Sequence, residues 1–207
     1  MNGSEEKETA RKYGQLFDEF GDSYKTLNWG SQEGQNLRFK VLSEIDSIAG
    51  ENILDVGCGL GDFADWFKKR NIPVNYTGLD LTGELVQQAQ KNHPTHEFMQ
   101  GNILDDLLLE KLMERHFDYV FASGIFYTYS QGSYSWMQSA ISKMWSLCTK
   151  GLAFNSLSAW AKDLEPTEFY AEPLKTIEYC RQLSPRIVFR HDYHPGDFTI
   201  YMKRGKL

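Results

Sequence analysis

The sequence predicts an α/β protein, doubly wound, with a mostly parallel seven-stranded sheet that ends in an antiparallel hairpin. Three observations predict it. From residue 52 onward, short apolar runs alternate with stretches of helical period. A glycine-rich segment, Gly57-Cys58-Gly59-Leu60-Gly61, lies between the first apolar run and the next helical pattern. The chain closes with two β-rich runs on either side of Pro195-Gly196, a turn signal.

Residues 4–20 are charged and amphipathic, and Leu16, Phe17 and Phe20 are the expected core contacts of a first helix. Gly21 and Asn28-Trp29-Gly30-Ser31 interrupt the chain. Ser31, ahead of Glu33-Gly34-Gln35, starts a second helix. Leu37, Val41, Leu42, Ile45 and Ile48 give it an apolar stripe, and Gly50 ends it. Asn52 to Val56 is the first strand. Residues 60–70 carry Phe63, Trp66 and Phe67 at helical spacing and finish on Lys68-Lys69-Arg70, cations that suit a helix C-terminus. Val74 to Asp80 is the second strand, and Thr82 is placed to cap a helix running to about Lys91. His96 to Met99 is the third strand, Leu104 to about Arg115 a helix, and Phe117 to Ala122 the fourth strand. A helix over 133–149, a strand from Leu152 to Ser156 and a helix over 167–182 follow. Arg186 to Phe189 and Phe198 to Met202 form the hairpin. Short apolar strands joined through helices belong in a sheet covered on both faces. One domain over 1–207 is expected, with 1–49 as an N-terminal helical lid and 50–207 as the core.

The 207 residues carry 22 Lys plus Arg against 28 Asp plus Glu, a formal net charge of −6. That balance disfavours a sequence-independent grip on a phosphate backbone. The hydrophobic set is 41%, the level of a folded globular chain. At this length roughly 70% of the unfolded surface can be buried by one domain. The N-terminus has no apolar signal region, and no apolar run approaches the roughly 18 residues that span a bilayer. Cys58, Cys148 and Cys180 are odd in number, widely spaced and free of any C-x-x-C pattern. Buried thiols in a reducing cytoplasm are expected, with neither disulfides nor a metal site.

The loop after the first strand carries most information. Its glycines permit positive φ and let a ligand approach the backbone, and the helix behind presents unpaired N–H groups. The dinucleotide fingerprint asks for Gly or Ala at the sixth position from Gly57, where Asp62 stands. Asp55 adds a second local acid that a pyrophosphate would disfavour and an ammonium would not.

Asp55-Val56-Gly57-Cys58-Gly59-Leu60-Gly61 resembles the first motif of the class I S-adenosylmethionine-dependent methyltransferases, an acid, one residue and G-x-G-x-G. Asp80, in Gly78-Leu79-Asp80-Leu81, occupies the place of the acid in their second motif. Gly101-Asn102-Ile103 stands where the family often has Asp, and Phe117 to Phe126 is similar to its fourth segment. The resemblance is strong over about 50–126, and the later elements fit the same Rossmann-like fold. It implies S-adenosyl-L-methionine (SAM) as cofactor and S-adenosyl-L-homocysteine (SAH) as product. It also implies that Asp80 accepts both ribose hydroxyls and that the Asn102 amide oxygen meets the adenine amine. Asp55, Gly57, Cys58, Gly59, Gly61, Leu81, Ile103, Ser123 and Trp29 are the further expected cofactor residues. Arg38 suits the cofactor carboxylate through its bidentate geometry, and an ordinary surface role suits it equally.

Relatives that methylate exocyclic base nitrogens carry an acid or amide and Pro-Pro-aromatic after the fourth strand. Ser123-Gly124-Ile125-Phe126 stands here, without proline. The expected substrate is a small-molecule methyl acceptor, with secondary metabolism as the expected setting, and neither nucleic acid nor membrane is an expected partner. Trp29, Phe126, Tyr127, Tyr129, Tyr134, Trp160, Tyr170 and Tyr193 gather at the loops over the expected mouth. They could hold a flat or cationic substrate, or simply pack under the loops. His191 and His194, in His191-Asp192-Tyr193-His194, are the candidate proton acceptors, with Tyr127 as a third catalytic candidate. The spacing matches no recognised metal motif. The rival readings are an RNA or protein methyltransferase, a cofactor-binding module without turnover, and an NAD-dependent oxidoreductase. The oligomeric state is open.

Overall fold

The computed structural model describes residues 3–128 and 132–205. The elements run α1 (Gly3–Phe20), α2 (Gln32–Ser43), β1 (Asn52–Val56), α3 (Asp62–Lys69), β2 (Asn75–Asp80), α4 (Gly83–Asn92), β3 (Glu97–Gln100) and α5 (Asp106–Met113). They continue with β4 (Phe117–Ala122), α6 (Ser133–Leu147), β5 (Cys148–Leu157), α7 (Pro173–Leu183), β6 (Ile187–Arg190) and β7 (Asp197–Lys203). The sheet order is β3-β2-β1-β4-β5-β7-β6. All pairings are parallel except those of β7 with β5 and β6. Chain order reverses direction between β1 and β4, so a crevice opens beyond their C-terminal ends.

Strand alternation divides the apolar residues between two cores. Leu54 and Val56 of β1 and Val120 and Ala122 of β4 face α5, α6 and α7. Ile53 of β1 and Tyr119 and Phe121 of β4 face the layer of α2, α3 and α4, where Phe39, Phe63, Trp66 and Phe67 pack. Phe63 stacks on Phe39 and Phe67 with ring centroids 4.5 and 4.3 Å apart. The long helix α1 lies outside both layers and rests on α4.

Several boundaries differ from expectation for identifiable reasons. Helix α2 stops at Ser43, and Ile45 and Ile48 are buried from the turn that follows. An apolar spacing of three therefore continues where the helix does not. Phe20, an expected core contact, is 38% exposed at the end of α1. Thr82 occupies the N-cap of α4 without a side-chain cap bond. Asp105 caps α5 and accepts from Leu107 and Leu108. Helix α7 begins at Pro173, later than the expected 167. Proline lacks the N–H that a first helical residue leaves unpaired, and it keeps the preceding Glu172 extended. The Glu172 side chain then accepts from the Lys175 N–H at 2.8 Å. Residues 158–172 form a strap instead, bridged to the loop after β4 at Thr128 and Glu168. Strand β5 starts directly after α6, through exposed Thr149 and Lys150 that gave no apolar signal.

Candidate active site

The loop after β1 is tied to β2. The N–H groups of Gly57 and Cys58 both donate to Leu79 O, at 2.7 and 3.1 Å. Gly57, Gly59 and Gly61 have φ of 77, 53 and 81°. A Cβ on Gly57 would lie 2.2 Å from Ile125 Cγ2, so the loops after β1 and β4 meet here without room for a side chain.

Asp80 ends β2 and is fixed from both sides. Its Oδ2 accepts the Gly59 N–H at 2.9 Å, and its Oδ1 accepts the Thr82 N–H at 2.8 Å. Burial raises its pKa, and those backbone donors oppose the rise. The carboxylate faces a cleft of about 900 Å³ including its mouth, flanked by Leu79, Leu81, Leu85 and Ile103. Helix α1 closes the cleft with Thr9 and Tyr13, and the Tyr13 hydroxyl is hydrogen-bonded to that of Tyr127. Burial lifts the Tyr13 phenol well above its usual range, which keeps it protonated.

Past Trp29 the cleft meets a second chamber of about 670 Å³ including its open mouth. The two share Leu27, Trp29, Gly124 and Tyr127. A Cβ on Gly124 would stand 2.8 Å from the Trp29 ring, so this glycine lets the indole close the partition. Asn155 fixes the loop after β4: its Oδ1 accepts the Gly124 N–H at 2.8 Å, and its Nδ2 donates to Ser123 Oγ at 3.2 Å.

A carboxylate held between apolar walls at the end of β2, beside a glycine loop, suits the ribose and base of an adenosyl group. Residues 53–151 match the Methyltransferase domain family. That segment is a methyltransferase domain of the S-adenosylmethionine-dependent kind. The sequence of the chain is similar to that of Rv1506c, a Mycobacterium tuberculosis protein provisionally named a methyltransferase. The identity is 27% over 161 residues, 74% of this chain and 93% of that one. Its fold is similar to that of the magnesium protoporphyrin IX methyltransferase ChlM of Synechocystis, solved with bound SAM. There the TM-score is 0.63 at 13% identity, covering 94% of this chain and 97% of the other. The plantazolicin methyltransferase BamL, solved with SAH and a triazolic desmethylPZN analog, gives a TM-score of 0.64 at 12% identity. That match covers 98% and 99% of the two chains.

The methyltransferase brings many of the expected cofactor residues to the cleft wall: Trp29, Gly57, Gly59, Asp80, Leu81, Asn102, Ile103 and Ser123. Asn102 is partly committed, because its Oδ1 accepts the Leu104 N–H at 2.9 Å within its own turn. Asp55, Cys58 and Gly61 are not in the lining. Alternation along β1 turns Asp55 away from the cleft, into the α2–α3–α4 layer, where Tyr76 Oη donates to its Oδ2 at 2.5 Å. Its Oδ1 has no hydrogen-bond partner. Burial is the chief cause that pushes its pKa up to about 7; the Tyr76 bond opposes the rise, and the charges of Asp80 and Asp62 add to it. Cys58 is buried, with its thiol pushed up well above its usual range, chiefly by burial. Gly61 is the N-cap of α3 and packs against His93 and Phe98.

Arg38 is also outside the cleft lining. It lines the second chamber, ion-pairs with Asp197 and donates from Nη1 to Gly34 O at 2.8 Å. Its guanidinium lies 5.0 Å from the Trp29 ring centre. Of the catalytic candidates, Tyr127 borders both chambers. His191 and His194 lie on the expected edge of the sheet and line neither chamber. His191 Nε2 is 2.9 Å from Ser158 Oγ, beside Trp160 and Phe189. His194 Nδ1 accepts the Gly196 N–H at 3.1 Å and stands 3.3 Å from Asp197 Oδ2. Among the expected aromatic residues, Trp29, Phe126 and Tyr127 reach the second chamber. Tyr170 reaches it indirectly, by donating to Glu168. Trp160 is 49% exposed, Tyr193 bonds Thr199, and Tyr134 lies under Lys175. Tyr129 falls outside the described residues.

The sequence did not point to Thr9, Tyr13, Asn155 or Glu168 as wall residues, and Asp197 was expected at the mouth only as the end of the hairpin turn. Tyr13 offered one signal, an aromatic on the charged first helix, but helical period does not say what a face will cover. Among the described residues no group of three or more His, Cys, Asp or Glu could hold a metal ion. No helix among them is long and apolar enough to cross a membrane.

Proposed function

We propose that this methyltransferase acts on a small-molecule acceptor held in the second chamber. Asp80 would accept the ribose hydroxyls, with Leu81 and Ile103 beside the adenine and Asn102 near its edge. The Gly57–Gly59 backbone, Ser123 and Trp29 would border the methionine end. Arg38 reaches that end only if its pair with Asp197 loosens. Bound there, SAM supplies a methyl carbon already activated by its sulfonium. The protein then has to align the acceptor and exclude water. Helix α1, Trp29 and Tyr127 supply the walls for both tasks. Tyr127 lines both chambers and so moves from third to first catalytic candidate, ahead of His191 and His194.

The observation that carries this reading is the shared partition. A nucleoside-sized cleft and an aromatic pocket meet at Trp29, Gly124 and Tyr127. The cation in the pocket lining, Arg38, is paired with Asp197, which disfavours a phosphate backbone at this chamber. Free Cys58, Cys148 and Cys180, all buried, are compatible with a reducing cytoplasm.

Label transfer from methyl-tritiated SAM in cell extract tests the acceptor class. Radioactivity is expected in the small-solute filtrate in a new, enzyme-dependent compound that separates from SAM and its breakdown products by chromatography. Label retained in RNA or protein overturns the small-molecule reading.

A further inference from the structure

Among the charged residues of its wall, the second chamber has two carboxylates, Glu168 and Asp197, against one cation, Arg38. We propose that its substrate presents a protonated amine to Glu168 and Asp197; this rests on reading the chamber as the acceptor site.

Asp197 is 2% exposed at the start of β7 and lines the chamber. Its Oδ2 faces Arg38 and His194 and completes no well-directed hydrogen bond. Glu168 lines the same chamber from the strap after β5. One of its oxygens accepts the Tyr170 hydroxyl at 2.7 Å, and no ion pair to a cation is formed by it among the described residues. The strap holds its position because the Phe169 N–H donates to Tyr127 O at 2.7 Å.

The guanidinium and one amide of the wall are already engaged. Arg38 is shared between Asp197 and Gly34 O, and both ends of the Asn155 amide are tied to the loop after β4. A carboxylate or phosphate ester would have to share Arg38 with Asp197, bringing a further negative charge beside a buried carboxylate. An ammonium leaves the Arg38–Asp197 pair in place, takes Glu168 as its uncompensated partner and has the already paired Asp197 as a second acceptor. Lys12 stands 5.3 Å from the Tyr127 ring centre, but it is exposed on α1 and outside the chamber lining. Trp29 and Phe126 are left to hold the apolar body of the substrate. The Glu168 carboxylate is also a destination for the ammonium proton, whose departure frees the nitrogen lone pair for attack.

Three probes with one indole body separate the head groups: tryptamine, tryptophol and indole-3-acetate. Each is titrated calorimetrically into the full chain with and without saturating SAH. Tryptamine is expected to bind tightest and indole-3-acetate weakest, with about tenfold or more between them. Glu168→Gln is expected to reduce that span to about threefold or less while SAH affinity stays unchanged. Equal or reversed order, no binding by any probe, or an unchanged span in Glu168→Gln overturns the inference. Loss of SAH binding with the amine preference intact overturns the methyltransferase site and leaves the amine site standing.

Discussion

Beyond β1 and β2, the polar groups at the mouth are held by neighbours close in the chain or on the adjacent strand. Asp80 is fixed by Thr82 and Gly59, and Asn102 by Leu104. Beyond β5 and β7, the corresponding groups hold one another across long separations. Arg38 meets Asp197, Asn155 holds Gly124, and Phe169 bonds Tyr127. The first end is a motif that a short sequence window specifies. The second exists only after the sheet, the strap and the hairpin have assembled. The difference teaches that one site can have a cofactor half carried locally and an acceptor half carried by topology.

Asp80→Ala should give the largest effect and strike only the first end. Two charge-assisted hydrogen bonds of about 1.5–3 kcal/mol each would be lost, weakening SAH by more than about 100-fold. Asp80→Asn keeps an acceptor for one backbone N–H and separates charge from geometry. Calorimetry with SAH and NAD reads both variants. Unchanged SAH affinity, or tighter binding of NAD, would break the assignment.

Gly57→Ala tests how far the two ends depend on one contact. The new methyl would enter Ile125 Cγ2 and strain a φ of 77°. A loss of about 2–4 kcal/mol in unfolding free energy is expected. Adding Ile125→Ala should recover the steric part and leave the backbone part, which urea titration of both variants resolves.

Asp55 sharpens the comparison through pH, because it belongs to the motif but serves the core. Its folded pKa, about 7, lies above the unfolded value, so the folded state prefers the protonated acid. That contribution is full below roughly pH 4 and is lost as pH rises through 7. Asp55→Asn should remove this loss and gain on the order of 2 kcal/mol or more relative to the parent between pH 5 and 8. Parallel unfolding curves at both pH values would contradict the burial of a strained carboxylate.

The smallest effects belong to the hairpin. His191→Ala removes a hydrogen bond to Ser158 and should cost about 1 kcal/mol of stability. His194→Ala should lower turnover modestly through Asp197, with SAH affinity within about twofold for both variants. A large loss of SAH affinity in either would join the two ends that the geometry keeps apart.

Much of the fold was legible because it is written in local patterns. The alternation of apolar strands and helices, the glycine loop and the Pro195-Gly196 turn each lie within a short window. Misreadings arose where a local pattern had two outcomes. Ile45 and Ile48 continue the α2 spacing but serve a turn, and residues before Pro173 form a strap that bonds Tyr127 instead of a helix. Asp55 was placed in the cleft by its motif, whereas strand alternation turns it to the opposite layer.

The sequence by itself determined the sheet, the glycine turn and an acid at the end of β2, because backbone conformation and strand period depend on nearby residues. Only the tertiary structure decided that α1 closes the cleft with Tyr13, that Trp29 divides it and that Arg38 pairs with Asp197. Arg38 and Asp197 are separated by six strands and five helices along the chain. No local periodicity encodes which distant side chains will share a wall; burial and charge pairing settle that once the chain is packed.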